Sequence, residues 1–369
     1  MEILLYTIVF LLLLVVSNVT NRFLPQLPLP LVQIVLGISL GFILPQEKFH
    51  LDTELFLALV IGPLLFREAE ESNITSILKH WRIVLYLIFP VIFISTVGLG
   101  YLAHLLWGAL PLAACVAVGA ALGPTDLVAF ASLSERFSFP KRVENILKGE
   151  GLLNDASGLV AFRVALLAWT TGSFSLGKAS ISLVLSIIGG FAIGMLSAGL
   201  NRWLHKLLMS AQVSDIASEL LLELSLPLVT FFLAEEIHVS GIIAVVVAGI
   251  FKASRFKRIT LLEAQVDSVT ETIWNTVNFM LNGSVFIILG MELEMIAEPI
   301  LKSPIYDNLL LLASIVLLTF LLFALRFIML FTFYFIRIRR LHKNVGNYLK
   351  EMLLLTFSGV KGTVSIATI

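Results

Sequence analysis

Cysteine and charge are the two features that this 369-residue chain has least of. It contains one cysteine, Cys115, so an internal disulfide and a thiolate metal site are both excluded. Charged residues make up 14% of the chain, against about a quarter in soluble domains, and 25 basic residues balance 25 acidic ones. This balance removes the main sequence argument for nucleic-acid binding. The six histidines lack an HExxH spacing, which argues against a zinc enzyme.

Long apolar segments account for most of the chain. Hydrophobic residues reach 58% and the mean hydropathy is +0.99, which indicates an all-α polytopic membrane protein. We predict a single transporter domain over residues 1–369, with the first segment retained because no basic region or cleavage pattern accompanies it. Twelve segments approach the ~20 residues that a transmembrane helix needs, at 2–18, 25–44, 52–67, 82–106, 110–133, 145–169, 179–201, 218–236, 238–253, 270–293, 305–335 and 349–369.

Basic residues are distributed unequally between the connecting loops. Of the 25 Lys and Arg, eighteen lie in loops after odd-numbered segments, whereas Lys48, Lys178 and Lys302 lie after even-numbered ones. Because basic residues accumulate on the cytoplasmic side, the N-terminus is predicted to lie outside. The last segment is still apolar at Ile369, so we expect the fold to be truncated after span 12, with at least one further helix beyond it. No nucleotide-binding motif is present, which argues against ATP as the energy source.

Two aspartates lie where a charge is expensive. An ionisable group at mid-bilayer costs at least ~2.5 kcal/mol, which makes it a functional-site hypothesis. Asp126 falls about 10 to 12 Å from the cytoplasmic end of the fifth segment, and Asp155 about 15 Å into the sixth. The two carboxylates can therefore meet at one depth. Glu68 and Glu223 lie nearer segment ends, and a solvated or snorkelling side chain is an equal alternative for both.

Two segments carry residues that interrupt helices. Gly123 and Pro124 precede Thr125 and Asp126 in the fifth segment, and Gly359 and Gly362 flank Lys361 in the twelfth. Proline removes a backbone donor and clashes with the preceding turn, while glycine adds conformational freedom. Paired interrupted helices mark the transport site of many secondary transporters. The alternatives are a simple proline kink and a purely structural role for Lys361.

Oxygen-bearing residues cluster around these interruptions. Asp155, Asn154, Asp126 and Thr125 offer the oxygen ligands that a hard cation such as Na⁺ prefers, with the two aspartates as its charged ligands. Asp155 can instead take a proton, and a site that holds either ion but not both is sufficient for exchange. Glu150 lies one helical turn before Asn154, on the same face.

Two buried arginines have no assigned function. We expect Arg163 to contribute to packing or to the local field. Arg326 has no acidic neighbour in sequence, and we expect it to meet a backbone carbonyl or a group on another helix.

Several short motifs, in this order and on these segments, resemble the NhaP-type sodium/proton antiporters of the monovalent cation/proton antiporter superfamily. The resemblance covers nearly the whole chain. The motifs are Pro63-Leu64-Leu65-Phe66, Thr125-Asp126, Gly149-Glu150, Leu153-Asn154-Asp155, His238-Val239-Ser240-Gly241 and Gly359-Val360-Lys361-Gly362.

The resemblance implies a thirteen-helix, inverted-repeat fold with two crossed discontinuous helices, a homodimer and an elevator-like motion. It implies that Asp155 carries the cation or the proton, that Asp126, Thr125 and Asn154 complete the site, and that Glu150 pairs with Lys361. It also implies, through Asn154, electroneutral exchange of one cation per proton. The expected setting is the plasma membrane, in pH homeostasis, with no cofactor.

Three other functions compete with Na⁺/H⁺ exchange. A potassium-selective exchanger would use the same residues, and nothing in the sequence decides ion size. An intramembrane aspartyl protease would also place two aspartates at one depth, but it needs a shared-proton dyad, and no Gly-x-Gly-Asp segment is present. A channel would need a carbonyl-lined filter or a ring of charges, neither of which the sequence suggests. We therefore predict a transporter that is not an enzyme.

Overall fold

The structure is a computed structural model whose regular elements are all helices. It describes residues 2–43, 53–72, 74–108, 110–125, 139–171, 176–211, 215–253, 261–302, 308–341 and 345–358. The helices are α1 Glu2–Phe23, α2 Leu29–Ile43, α3 Thr53–Phe56, α4 Gly62–Glu71, α5 Ile74–Leu78, α6 Trp81–Tyr86, α7 Ile92–Leu106, α8 Leu112–Leu122, α9 Lys141–Thr171, α10 Leu176–Ser210, α11 Ile216–Glu236, α12 Gly241–Ala253, α13 Leu261–Lys302, α14 Asn308–Leu341 and α15 Val345–Phe357.

Each of the twelve predicted apolar segments overlaps at least one of these helices. Within the described residues, five helical stretches are long and apolar enough to cross a membrane: Trp81–Leu106, Val184–Ser210, Ile216–Glu236, Ser268–Met295 and Leu312–Ile336. Other apolar helices are shorter, such as Gly241–Ala253, which falls in one of the two shortest predicted segments.

Two π-helical turns interrupt the third and fourth predicted segments. Leu57–Ile61 joins α3 to α4, and Leu87–Val91 joins α6 to α7. Pro63 follows the first turn and Pro90 lies within the second. A proline ring clashes with the carbonyl four residues earlier and offers it no donor, and a widened turn accommodates both effects.

The chain divides into two compact units. The first comprises the described parts of Met1–Ser72 and Ser180–Glu294, and the second those of Asn73–Ala179 and Met295–Ala367. Each unit therefore combines a stretch from the first half of the chain with one from the second half. Helices in lipid associate through close packing, because lipid tails are as apolar as the side chains themselves.

Glycines allow the helices of the first unit to approach closely. A Cβ atom on Gly37 of α2 would overlap the backbone carbonyl of Ile287 on α13, and one on Gly290 would overlap that of Ile34. On α12, a Cβ atom on Gly249 would lie 2.5 Å from the carbonyl oxygen of Phe66. These contacts fix α2 against α13 and α4 against α12.

A buried apolar cluster forms the core of the second unit. It joins α6 and its π-helical turn to α9, α14 and α15 through Ile83, Leu87, Val91, Val143, Ile146, Leu147, Leu330, Tyr334, Met352 and Leu355. Tyr334 also donates a hydrogen bond to Glu351 at 2.8 Å, and Arg142 of α9 pairs with the same carboxylate at 3.0 Å. Helix α9 of this core also carries Glu150, Asn154 and Asp155 of the predicted transport site.

Candidate ion-binding site

The first part of the site is the end of α8. This helix stops at Leu122, and the N–H of Gly123 donates to the carbonyl oxygen of Ala120 at 3.4 Å, one residue short of the regular helical spacing. Pro124 follows and has no N–H of its own to continue the helix. The described backbone thus leaves the α-helix at the predicted interruption. Its continuation from Asp126 lies outside the described residues.

Helix α9 packs directly against this helix end. A Cβ atom on Gly158 would overlap the ring of Pro124, so only glycine lets the proline approach α9 this closely. Asn154 lies one turn before Gly158, and its Nδ2 donates to Thr125 Oγ1 at 2.5 Å. The exposed fractions are 5% for Thr125 and 0% for Asn154. The sequence placed these two residues in one site, and the structure joins them by a buried hydrogen bond.

A buried ion pair lies one turn from Asn154 on α9. Glu150 accepts hydrogen bonds from both terminal nitrogens of Arg326, at 2.6 and 2.7 Å, and Arg326 Nε donates to the carbonyl oxygen of Leu355 at 3.0 Å. The exposed fractions of Glu150 and Arg326 are 1% and 2%. The two-pronged geometry is the strong form of an arginine–carboxylate contact. It ties α9 to α14 and α15 and neutralises the charge of Glu150.

Arg326 therefore meets both a backbone carbonyl, that of Leu355, and a group on another helix, the Glu150 carboxylate, which are the two kinds of partner expected from the sequence. The sequence resemblance paired Glu150 with Lys361, which lies outside the described residues, so a contact between those two stays a prediction. No sequence signal linked Glu150 to Arg326, because the two are 176 residues apart.

Other predicted site residues are only partly covered by the structure. Asp155 continues helix α9 directly after Asn154, but its side chain lies outside the described residues, as does that of Arg163. Asp126, Lys361, Gly359 and Gly362 lie outside them entirely. Helix α15 ends at Phe357, just before the second predicted interruption. The roles given to these residues stay predictions.

Glu223 belongs to an internal charge network of the first unit. Its Oε1 accepts from Trp274 Nε1 at 3.2 Å and lies 2.5 Å from Lys252 Nζ, which also lies 3.2 Å from Glu70. Glu223 is 15% exposed and Lys252 is 9% exposed. Glu223 is therefore stabilised by an ion pair with Lys252 and is not a freely solvated carboxylate. Glu68 is half-buried on α4.

Comparisons with known proteins identify the family. Residues 8–369 match the family model for the transmembrane sodium/hydrogen exchanger. The chain is 37% identical to the sodium, potassium, lithium and rubidium/H⁺ antiporter of Bacillus subtilis, covering all of this chain and 55% of that protein. It is also 32% identical to an uncharacterised Na⁺/H⁺ exchanger, YjcE, of Escherichia coli, covering all of this chain and 68% of that protein.

The solved structure of the sodium proton antiporter MjNhaP1 from Methanocaldococcus jannaschii has the same fold. Its TM-score against this chain is 0.72 at 19% identity, over all of this chain and 85% of that one. The chain spans about half the length of the Bacillus relatives that it matches. The predicted antiporter fold is thereby confirmed, and the chain belongs to the sodium/hydrogen exchanger family of multi-pass membrane transporters.

Proposed function

We propose that this protein exchanges Na⁺ for H⁺ across the membrane by alternating access, with Asp155 binding either the cation or the proton. The observation that carries the proposal is the buried hydrogen bond between Asn154 and Thr125 at the end of α8. It holds the residue directly before Asp155 against the interruption that precedes Asp126. Asp126 directly follows Thr125 in the sequence and Asp155 directly follows Asn154, so each aspartate is adjacent to one partner of this buried hydrogen bond.

The surroundings of this contact suit a monovalent cation. Thr125 and Asn154 offer oxygen atoms, and the aspartates would add carboxylate oxygens, which are the ligands that hard cations prefer. A proton on Asp155 would remove its negative charge and release the cation. Competition for one carboxylate thus couples the two ions without a further energy source.

The pair between Glu150 and Arg326 supports a fixed stoichiometry. Both charges are buried and each neutralises the other, so a pair that stays intact leaves Glu150 no free charge for transport. Asn154 is neutral and adds no proton-binding group beside Asp155. Together with the resemblance to electroneutral antiporters, this supports one cation per proton.

The relatives support a range of monovalent cations. The Bacillus subtilis protein is named for sodium, potassium, lithium and rubidium. Potassium/proton exchange by the same residues is therefore the second candidate, and the measured order of cations decides between them.

The test uses the full-length natural protein reconstituted in liposomes that contain a pH indicator dye. Adding Na⁺, K⁺, Li⁺ or Rb⁺ outside should drive proton efflux in the wild type, and Asp155→Asn should abolish it. Removing the carboxylate removes both the cation ligand and the proton site. A membrane potential imposed by a lipophilic ion gradient should leave the exchange rate unchanged, as electroneutral exchange requires.

A matched control is Asp215→Asn. Asp215 is the exposed N-cap of α11, where its Oδ1 accepts from the Ser218 N–H at 2.9 Å, and asparagine caps helices equally well. This variant should exchange ions like the wild type. Wild-type protein that is folded yet moves protons with none of the four cations would contradict the proposal, and exchange that survives Asp155→Asn would remove Asp155 from its assigned role.

We also propose a location and an assembly. The excess of basic residues in alternate loops supports an N-terminus on the outer side. The resemblance to NhaP-type antiporters supports a position in the plasma membrane. The resemblance to NhaP-type antiporters supports a homodimer, which light scattering of the purified full-length protein in detergent would test against a monomer.

A further inference from the structure

Thr96 carries a buried hydroxyl group with no hydrogen-bond partner. It lies on α7 in the second unit, its exposed fraction is 4%, and its Oγ1 makes no hydrogen bond within the part of the chain that the structure describes. Burying an unpaired hydroxyl costs free energy, so such groups are rare and call for an explanation.

The usual solution for a helical threonine is available but not used. Threonine and serine in helices commonly donate to the carbonyl three or four residues earlier. In this chain Thr356 donates to Met352 at 2.8 Å and Ser314 donates to Leu310 at 2.7 Å. Thr96 makes no such bond, so among the residues that the structure describes its hydroxyl has no partner and is available to a ligand.

The hydroxyl lies beside the interruption of α8. Its Oγ1 is 3.4 Å from the position that a Cβ atom would take on Gly123. The backbone of Thr96 also packs against α8, because a Cβ atom on Gly119 would overlap the Thr96 carbonyl oxygen. The carbonyl of Thr96 thus lies beside Gly119, and its hydroxyl lies beside Gly123, one turn further along the chain and two residues before Thr125.

A second unpaired oxygen lies at the same helix end. Among the fully buried side-chain oxygens of the second unit that the structure describes, those without a hydrogen-bond partner are Thr96 Oγ1 and Asn154 Oδ1. Asn154 lies at the helix end because its Nδ2 donates to Thr125, and Thr96 lies there because its hydroxyl is beside Gly123. Two unpaired oxygens from different helices, α7 and α9, thus border the same short stretch of backbone.

We propose that Thr96 supplies a further oxygen ligand to the monovalent cation that binds beside Thr125 and Asn154. The inference rests on the proposed exchange function and adds α7 to the helices that form the site. Neutral hydroxyl and amide oxygens are suitable ligands for a partly dehydrated Na⁺ or K⁺. Binding of the cation would give both oxygens the partner that they lack.

The test compares valine and serine variants of Thr96 in the full-length protein in liposomes. Thr96→Val has nearly the same shape without the hydroxyl, and it should raise the apparent KM for Na⁺ about tenfold, as loss of a contact to a charged group predicts. Its maximal rate should stay within about twofold of the wild type, since Asp155 is untouched. Thr96→Ser keeps the oxygen and should restore the wild-type KM.

Thr230→Val is the matched control. Thr230 is also fully buried without a hydrogen-bond partner in the described residues, but it lies on α11 in the first unit. It should leave the KM unchanged. Thr96→Ala removes the same oxygen without adding bulk and replaces the valine variant if that variant does not fold.

A binding measurement separates a ligand from a structural hydroxyl. Na⁺ should raise the melting temperature of the wild type in detergent, because a ligand that binds the folded state stabilises it, and this increase should be lost in Thr96→Val. A valine variant with a lower melting temperature but unchanged KM and Na⁺-induced stabilisation would overturn the inference. If the wild type itself exchanges no cation, the proposed function fails first, and the two failures are thereby distinguished.

Discussion

At the scale of single residues, the buried pair of Glu150 and Arg326 is a bidentate contact within the second unit. Burying either charge alone would cost much free energy. The cost is offset because the contact is bidentate and the carbonyl of Leu355 accepts the remaining Nε–H. The pair fixes α9, which carries Asn154 and Asp155, to α14 and α15.

Removing one partner should cost more than removing both. Arg326→Met leaves the Glu150 carboxylate buried and uncompensated, and we expect a loss of about 3 to 5 kcal/mol in the free energy of unfolding. Adding Glu150→Gln to that variant removes the orphaned charge and should recover part of the loss. Chemical unfolding of the purified protein in detergent measures both, and a double variant that is the sum of the single ones would contradict direct pairing.

The same residues show what a sequence can reveal at this scale. Thr125 and Asn154 could be placed in one site because both lie beside features visible in the sequence, a proline interruption and a pair of intramembrane acids. The partner of Arg326 could not be named, since contacts between distant helices leave no local pattern. Thr96 escaped notice for a related reason: a threonine in an apolar segment is ordinary until its missing hydrogen bond is seen.

At the scale of helices, the contact between α7 and α8 positions the site. A Cβ atom on Gly100 of α7 would lie 2.6 Å from the Cα atom of Val116, and one on Gly119 of α8 would overlap the backbone of Thr96. Reciprocal glycines allow the two backbones to touch, the arrangement through which helices associate in lipid. The end of α8 is therefore held against α7 by backbone contact.

Adding a methyl group at this contact should separate the helices. Gly119→Ala places a carbon against the Thr96 carbonyl, and we expect a loss of about 1 to 3 kcal/mol in unfolding free energy because a tight interface is overpacked. Gly199→Ala on α10 is the control, as nothing lies within 4 Å of its Cβ position. That change should be neutral or stabilise the protein by up to ~1 kcal/mol, because alanine favours helix. Equal thermal stability of the two variants would show that α7 and α8 are not in close contact.

The approximate helix positions could be predicted because segments that lie in lipid must be apolar. The helices themselves extend further where polar turns continue the hydrogen-bond ladder: α13 runs over Leu261–Lys302, whereas its apolar segment covers 270–293. Hydropathy is insensitive to such turns, since they need not lie in hydrocarbon. The π-helical turns were also not predicted, because the prolines that accompany them could equally kink an α-helix.

At the scale of the molecule, the two compact units divide the polar chemistry. The second unit holds Thr125, Asn154 and the pair of Glu150 and Arg326, whereas the first holds the network around Lys252. Each unit draws on both halves of the chain. Hydropathy alone gives the number of segments, and their sorting into units depends on contacts between helices that it does not record.

The orientation of the whole chain can be tested with single cysteines because Cys115 is the natural one and is fully buried. In a Cys115→Ala background, Gly108→Cys lies after the fourth predicted segment and Ser210→Cys after the seventh, and both positions are exposed. The end of α10 that holds Arg202 and Lys206 should face the cytoplasm, since basic residues resist translocation. A maleimide that cannot cross membranes should therefore label Gly108→Cys in intact cells and Ser210→Cys after permeabilisation. The reverse labelling pattern would place the N-terminus inside and would contradict the predicted orientation of every helix.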